Sequence, residues 1–152
     1  MAQFRFRLQA LQQYREHQRD LCRQLLAEAL HEESELLRRR DLLTREREQI
    51  LTEMGALELE RRVNVDQAAA RRYHAAQLQA DVRQIDADRQ RLAQRIQLCR
   101  QALSKADQGV KVLEKLAEKQ KLEFLQGVEK AESREREEGW QSGRIGWTRD
   151  LS

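Results

Sequence analysis

The sequence predicts an all-α fold in which two long helices pair as an elongated antiparallel coiled-coil hairpin. Three features lead to this prediction: the absence of proline from the 152 residues, a heptad pattern in the second half, and one helix-breaking segment near the middle. Proline is common in the turns of globular domains, so a chain of this length without it favours long helices. Charged residues make up 36% of the chain, which leaves apolar surface for a narrow seam and not for a thick core.

The second half carries the more regular pattern. Apolar residues recur there at alternating steps of four and three, and this repeat predicts a left-handed coiled coil, because it keeps one stripe facing a partner helix. The mostly apolar positions are Leu78, Val82, Ile85, Arg89, Leu92, Ile96, Cys99, Leu103, Ala106, Val110, Leu113, Ala117, Gln120, Phe124, Gly127 and Ala131. We therefore predict helix two over about residues 66–138.

The first half is also predicted to be helical, over about residues 4–61, with a less regular seam. Its positions fall into two series of seven-residue spacing. The first series is Phe4, Leu11, Gln18 and Leu25, with Tyr14 and Leu21 on the same face, and the second is Leu36, Leu43, Ile50 and Leu57, with Met54. The step of eleven residues from Leu25 to Leu36 predicts a stutter, at which the supercoil unwinds locally.

The predicted turn occupies about residues 62–66. Asn64 is a good N-cap residue, with Gln67 three positions later in the place of a capping-box partner. Gly55 is an alternative break, but an isolated glycine inside a helical pattern is tolerated. One hairpin domain over residues 1–138 follows, and we expect the glycine-containing segment 139–152 to be a flexible tail.

Antiparallel pairing about this turn sets the expected register. It places Leu11 near Ala117 and Leu25 near Leu103. It also brings the seam residue Arg89 near Arg39. The head group of Arg89 then either reaches the acids Glu35 and Asp41, which flank the basic run, or extends from the seam to solvent. A homodimer of two opened chains stays an alternative, because the seam specifies apolar faces and not which helix supplies the partner.

Neither the fold nor the residue spacing supports an enzyme. A two-stranded coiled coil has no pocket in which reacting groups could be held. His17, His31 and His74 lack metal-ligand spacing, and Cys22 and Cys99 form no Cys-x-x-Cys pair. A glycine-rich phosphate loop is also missing. We therefore expect no catalytic residue, metal, cofactor or small-molecule substrate.

The charge pattern favours protein partners over nucleic acid. The net charge is +3, and both signs alternate along the chain as on a solvated helix surface. Nucleic-acid binding proteins more often show a basic stripe with stacking aromatics. The chain has neither a long apolar run nor a secretory signal pattern, so we expect a cytoplasmic protein.

Two segments resemble the flagellar export protein FliJ family. The opening FRFRLQALQQYRE (residues 4–16) is similar to the aromatic-basic-aromatic start of that family, which leads into a long helix. The stretch VLEKLAEKQK (residues 112–121), followed by the charged run 132–138, is similar to the family's second helix. The Trp- and Gly-containing end at 139–152 departs from the family pattern.

The resemblance implies a soluble, stalk-like component of the flagellar type III export apparatus at the cytoplasmic face of the inner membrane. Its partners would be the hexameric export ATPase, the membrane protein of the export gate and the export chaperones. The expected contacts with the ATPase ring lie at the paired ends of the helices, in Phe4, Arg5, Phe6, Leu8, Lys119, Lys121 and Phe124, and Tyr73 near the turn is expected to contact the gate. The alternative is a structural coiled-coil spacer or homodimerising interaction protein.

Overall fold

Two long helices make up almost all of the chain. The computed structural model describes residues 3–60 and 64–149, with side chains of the last helix described as far as Arg144. Helix α1 spans Gln9–Leu59 and helix α2 spans Val65–Arg149, with no strand in the described ranges. Buried side chains from the two helices pack against each other. The prediction of an all-α, two-helix hairpin is confirmed.

Local hydrogen bonds define where each helix begins. The Gln12 amide donates to the Leu8 carbonyl at 2.8 Å, which starts the α1 ladder. At the start of α2, the Asp66 amide donates to Asn64 Oδ1 at 3.1 Å, while the Ala68 amide donates to the Asn64 carbonyl at 3.0 Å. Asn64 is thus the N-cap that the sequence predicts, because its side chain satisfies an amide with no partner inside the helix. Positions 61–63 lie outside the described residues.

The chain forms two compact units, and both helices run through both of them. The central unit comprises residues 20–104, and the terminal unit comprises residues 1–19 and 105–152. The central unit therefore holds the turn, and the terminal unit holds both chain ends. Each unit contains a stretch of α1 and a stretch of α2.

The core of the central unit consists of apolar side chains from both helices. One cluster joins Ala29 to Leu92 and Ile96, with Leu26 and Leu36 packed against it. A second cluster joins Ile50 to Ala75 and Leu78, with Leu43 and Met54 packed against it. Val82 and Ile85 are also buried. The core is a row of contacts along the helices, as a coiled-coil seam requires.

The predicted seam of α2 agrees with the observed burial. Each predicted position from Leu78 to Leu103 in the central unit, and from Ala106 to Phe124 in the terminal unit, is buried or half-buried. Gly127 and Ala131 are exposed. The seam also begins earlier than predicted, since Ala75 is buried. The four-three spacing thus identifies the inward face of α2 correctly over most of its length.

The predicted seam of α1 is wrong in its first half. Four residues assigned to it are exposed: Leu11, Tyr14, Leu21 and Leu25. The buried and half-buried positions instead follow an unbroken seven-residue series, Cys22, Ala29, Leu36, Leu43, Ile50 and Leu57. No stutter separates Leu25 from Leu36, because the inward residue of that turn is Ala29. A small alanine is buried there since it packs against the larger Leu92 and Ile96.

The second helix continues beyond its predicted end near residue 138. Helix α2 reaches Arg149, so the predicted end of helix two near residue 138 is wrong, and positions 150–152 lie outside the described residues. Gly139 and Gly143 sit inside the helix with no neighbouring atom where a Cβ would stand. Each glycine costs a helix about 1 kcal/mol, which weakens but does not end it when no proline follows. Gly55 is likewise inside α1.

Candidate functional site

In the terminal unit, an aromatic pair joins the segment before α1 to helix α2. The rings of Phe4 and Phe124 lie with their centroids 5.7 Å apart and their planes tilted by 47°. Tilted pairs at this distance have favourable ring electrostatics in addition to the apolar area that they bury. The segment before α1 is therefore fixed against α2, at the position that a turn near Asn64 predicts.

Residues close in sequence to Phe4 and Phe124 carry exposed basic and apolar side chains. Arg5, Lys119 and Lys121 are exposed. Leu8 is also exposed, whereas Phe6 is half-buried. The terminal unit thus carries seven of the eight predicted contact residues, and Phe4 and Phe124 touch. A surface that combines lysine and arginine with accessible apolar groups suits a protein partner bearing acids and an apolar patch.

The eighth predicted residue, Tyr73, belongs to the central unit. It lies in the third turn of α2 and leaves 74% of its surface exposed. The next residue, His74, places Nε2 at 3.5 Å from Glu46 Oε1 on α1. The exposed phenol thus lies beside a contact between α2 and α1.

A small cavity lies at the turn of the central unit. Its walls include Met54, Leu57, Asn64, Ala68 and Arg71, and its volume is about 30 Å³. Such a space has room for a water molecule or two and not for a substrate. Arg71, which lines this cavity, also buries its Nη1 atom without a hydrogen-bond partner.

The central unit has a charge cluster in its seam. The partners predicted for Arg89 in this cluster are wrong. Arg89 does not meet Glu35 or Asp41, which pair within α1 with Arg38 and Arg45 at 2.9 Å each. Instead, Asp86 connects the helices. Its carboxylate accepts hydrogen bonds from Arg40 at 2.7 and 3.4 Å, and Arg89 lies 3.5 Å away on the same helix as Asp86.

This contact shifts the pKa values of Asp86 and Arg40 in opposite directions. The hydrogen bonds from Arg40 lower the pKa of Asp86, partial desolvation opposes that change, and the charges of Arg40 and Arg89 add to the lowering. The same hydrogen bonds raise the pKa of Arg40. A two-point contact between a guanidinium and a carboxylate also fixes the geometry of the pair. The Arg40–Asp86 pair and a second bridge between Arg95 and Glu32, 3.2 Å apart, both connect α1 to α2 in this unit.

The described part of the chain shows no group of three or more His, Cys, Asp or Glu side chains arranged to hold a metal ion. Cys22 and Cys99 are free and half-buried. Within residues 3–60 and 64–149, neither helix has a segment with the length and hydrophobicity that a membrane span requires.

Comparison of the chain with protein families, with characterised proteins and with solved structures found no match.

Proposed function

We propose that this protein is a stalk-like component of flagellar type III protein export, which binds the export ATPase ring through its terminal unit. The proposal rests on the resemblance of residues 4–16 and 112–121 to the FliJ family and on the hairpin fold. It places the chain in the cytoplasm, peripheral to the inner membrane at the flagellar base. Export chaperones and the export gate would be its further partners.

The observation that carries the proposal is the aromatic pair of Phe4, in the first resembling segment, and Phe124, three residues after the second. Phe4 and Phe124 lie 5.7 Å apart, in a unit that also exposes Arg5, Lys119 and Lys121. The pair supports the segment before α1, so that its basic and apolar side chains are presented in a fixed arrangement. Preorganised surfaces bind more tightly because less conformational entropy is lost on association.

The gate contact is proposed for the central unit. Tyr73 is a large, exposed side chain on a supported helix, and tyrosine is among the residues enriched at protein interfaces. Replacing it with alanine is expected to weaken binding to the gate protein and to leave ATPase binding unchanged. Loss of ATPase binding in Tyr73→Ala would contradict this division of roles.

The first experiment is a pull-down of the purified chain with the flagellar export ATPase from the same source, with hydrolysis rate and ring assembly followed together. We expect binding and stimulated ring assembly, and no hydrolysis by the chain alone. The variant Lys119→Glu/Lys121→Glu is expected to bind at least about tenfold more weakly, because reversing charges at an interface replaces attraction with repulsion. Lys105→Glu is the matched control in the same unit.

Absence of both binding and stimulation would overturn the proposal. The alternative function, a structural spacer or homodimerising coiled coil, would then take its place. Equal losses in the lysine pair and in Lys105→Glu would instead show a general dependence on net charge, which contradicts a defined contact at Lys119 and Lys121.

A further inference from the structure

Both cysteines of the chain lie in the seam of the central unit. Cys22 on α1 and Cys99 on α2 are free and half-buried, and each belongs to the seven-residue series on the inward face of its helix. The proposed export function uses neither of them. Two thiols on facing helices can be joined only where the pairing of the helices brings them together, so the register decides what this pair can do.

The two salt bridges of the central unit show how the helices are aligned. Arg40 pairs with Asp86, and Glu32 pairs with Arg95. Glu32 lies eight residues before Arg40 on α1, and Arg95 lies nine residues after Asp86 on α2. The helices are therefore antiparallel, and a step back along α1 corresponds to a nearly equal step forward along α2.

The packing of Ala29 then places the cysteines. Ala29 is buried against Leu92 across the seam. The residue seven positions before Ala29 is Cys22, and the residue seven positions after Leu92 is Cys99. Because a heptad repeat returns to the same face after seven residues, the next layer of the seam sets Cys22 opposite Cys99.

Small side chains favour a close approach of the helices in this layer. Cys22 and its neighbour Ala29 on α1, and Cys99 on α2, are smaller than the leucines and isoleucines that fill the seam nearer the turn. The distance between helix axes falls toward about 8 Å where the contacting side chains are small. A disulfide needs its two Cβ atoms about 4 Å apart, so this layer is better suited to one than a leucine-filled layer.

We propose that Cys22 and Cys99 form a reversible disulfide within the chain, which fastens the central unit when a disulfide oxidant is present. The turn at Asn64 already joins the helices at one end of this unit, and the new bond joins them near the other. The buried clusters of the central unit then lie between two covalent connections. In the reduced chain, both thiols act as small seam residues. The proposal is independent of the export function, since it uses neither the aromatic pair nor Tyr73.

The oxidant is a small-molecule disulfide such as oxidised glutathione. The thiolate of one cysteine attacks its S–S bond, forms a mixed disulfide and releases one glutathione. The thiolate of the other cysteine attacks the protein sulfur of that mixed disulfide, which forms the Cys22–Cys99 bond and releases the second glutathione. The protons of the two protein thiols end on the two released glutathione molecules. The chain thus loses two hydrogen atoms, and the oxidant is reduced.

The test treats the full chain with oxidised glutathione at low protein concentration, blocks the remaining thiols with iodoacetamide and measures the intact mass. We expect a monomer that is lighter than the reduced chain by two hydrogen atoms and takes up no iodoacetamide, and dithiothreitol should reverse the change. Amide hydrogen exchange in the central unit should become slower by roughly tenfold or more, because the cross-link restricts the open state.

The matched control is Cys22→Ser/Leu25→Cys, which keeps two thiols but moves one to an exposed position on α1. It is expected to give glutathione adducts and no internal bond. A wild-type chain that yields only glutathione adducts or disulfide-linked dimers overturns the proposal. So does internal closure that is equally fast in the control variant, or closure in the urea-unfolded chain that is as fast as in the folded chain.

Discussion

The central unit and the terminal unit contain the same two helices, yet different side chains fill the space between them. Of the ten buried apolar side chains in the described residues, eight lie in the central unit, and only Val110 and Leu113 lie in the terminal unit. On the α1 side of the terminal unit, the half-buried helical positions are polar: Gln12, Glu16, Gln18 and Arg19. Pairing in the central unit therefore rests mainly on buried apolar side chains, with the Arg40–Asp86 pair among them.

Pairing in the terminal unit depends on fewer contacts. Val110 and Leu113 face a largely polar stretch of α1, and the aromatic pair of Phe4 and Phe124 adds a contact at its far end. Regions with fewer buried apolar contacts open at lower free energy. The comparison teaches that a single hairpin can combine one stretch that supplies stability with another whose accessible groups are available for partners.

The largest effect is expected from emptying the core of the central unit. Leu92→Ala removes most of a side chain that packs on Ala29, and we expect a loss of about 3 kcal/mol in the free energy of unfolding, from lost burial and the remaining cavity. Urea denaturation followed by circular dichroism measures it. The control Leu98→Ala changes an exposed leucine on the same helix and should stay within about 0.5 kcal/mol of the wild type. Similar losses in both would contradict a seam-based core.

The next effect concerns the terminal unit. Phe124→Ala removes the ring that contacts Phe4, and a local loss of about 2 kcal/mol is expected from the ring contact and the apolar area together. Amide hydrogen exchange should then become faster at residues 9–19 and stay unchanged in the core of the central unit. Uniformly faster exchange across both units would instead show that the two units unfold as one.

Removal of the N-cap is expected to have a moderate effect. Asn64→Ala deletes the acceptor of the Asp66 amide, and such losses typically cost about 1 kcal/mol. The free energy of unfolding in urea checks this value. Asn64→Ser keeps an acceptor at the same position and should retain most of the stability; if serine and alanine are equally destabilising, the cap is not the cause.

The smallest effect is expected from the charge cluster in the seam. Because Arg40 lowers the pKa of Asp86 below its ordinary value of 3.8, this carboxylate stabilises the folded state above that value and loses its contribution as the pH falls through the lowered pKa. Wild type should therefore exceed Asp86→Asn in stability at neutral pH, and the difference should disappear in strong acid. Chemical denaturation at several pH values measures it.

Asp88→Asn is the control for that comparison, since the hydrogen bond that Asp88 accepts from Gln84 lies within α2. It should show no comparable dependence on pH. A difference between wild type and Asp86→Asn that persists unchanged into strong acid would show that the carboxylate charge is not what stabilises the pair.

Most of the fold was predictable because its signals are local. The cap at Asn64 depends on residues within one turn, and the seam of α2 repeats without interruption, so neighbouring residues suffice to place both. The end of α2 was less predictable. Glycine lowers helix propensity by an amount that the residues around it can offset, and the sequence pattern alone does not decide that balance at Gly139 and Gly143.

The candidate site was also predictable from the sequence only in part. The sequence marks Phe4 and Phe124 as apolar residues at opposite ends of the chain, and the register of the hairpin explains why they meet. The partner of Asp86 was not predictable to the residue, because Arg38, Arg39 and Arg40 are adjacent and identical in type. Only their different directions around the helix decide that Arg40 reaches across to Asp86.

By itself, the sequence determined that the protein is two helices joined at Asn64, and it determined the inward face of α2. It also placed two stripes on α1, one through Leu11, Tyr14, Leu21 and Leu25 and another through Leu36, Leu43 and Ile50, but it did not identify Ala29 as part of the second. Only the tertiary structure decided which stripe is covered. Helical spacing determines which residues share a face, but burial depends on how side chains from two helices fill the space between them, and the small Ala29 against Leu92 and Ile96 fills it.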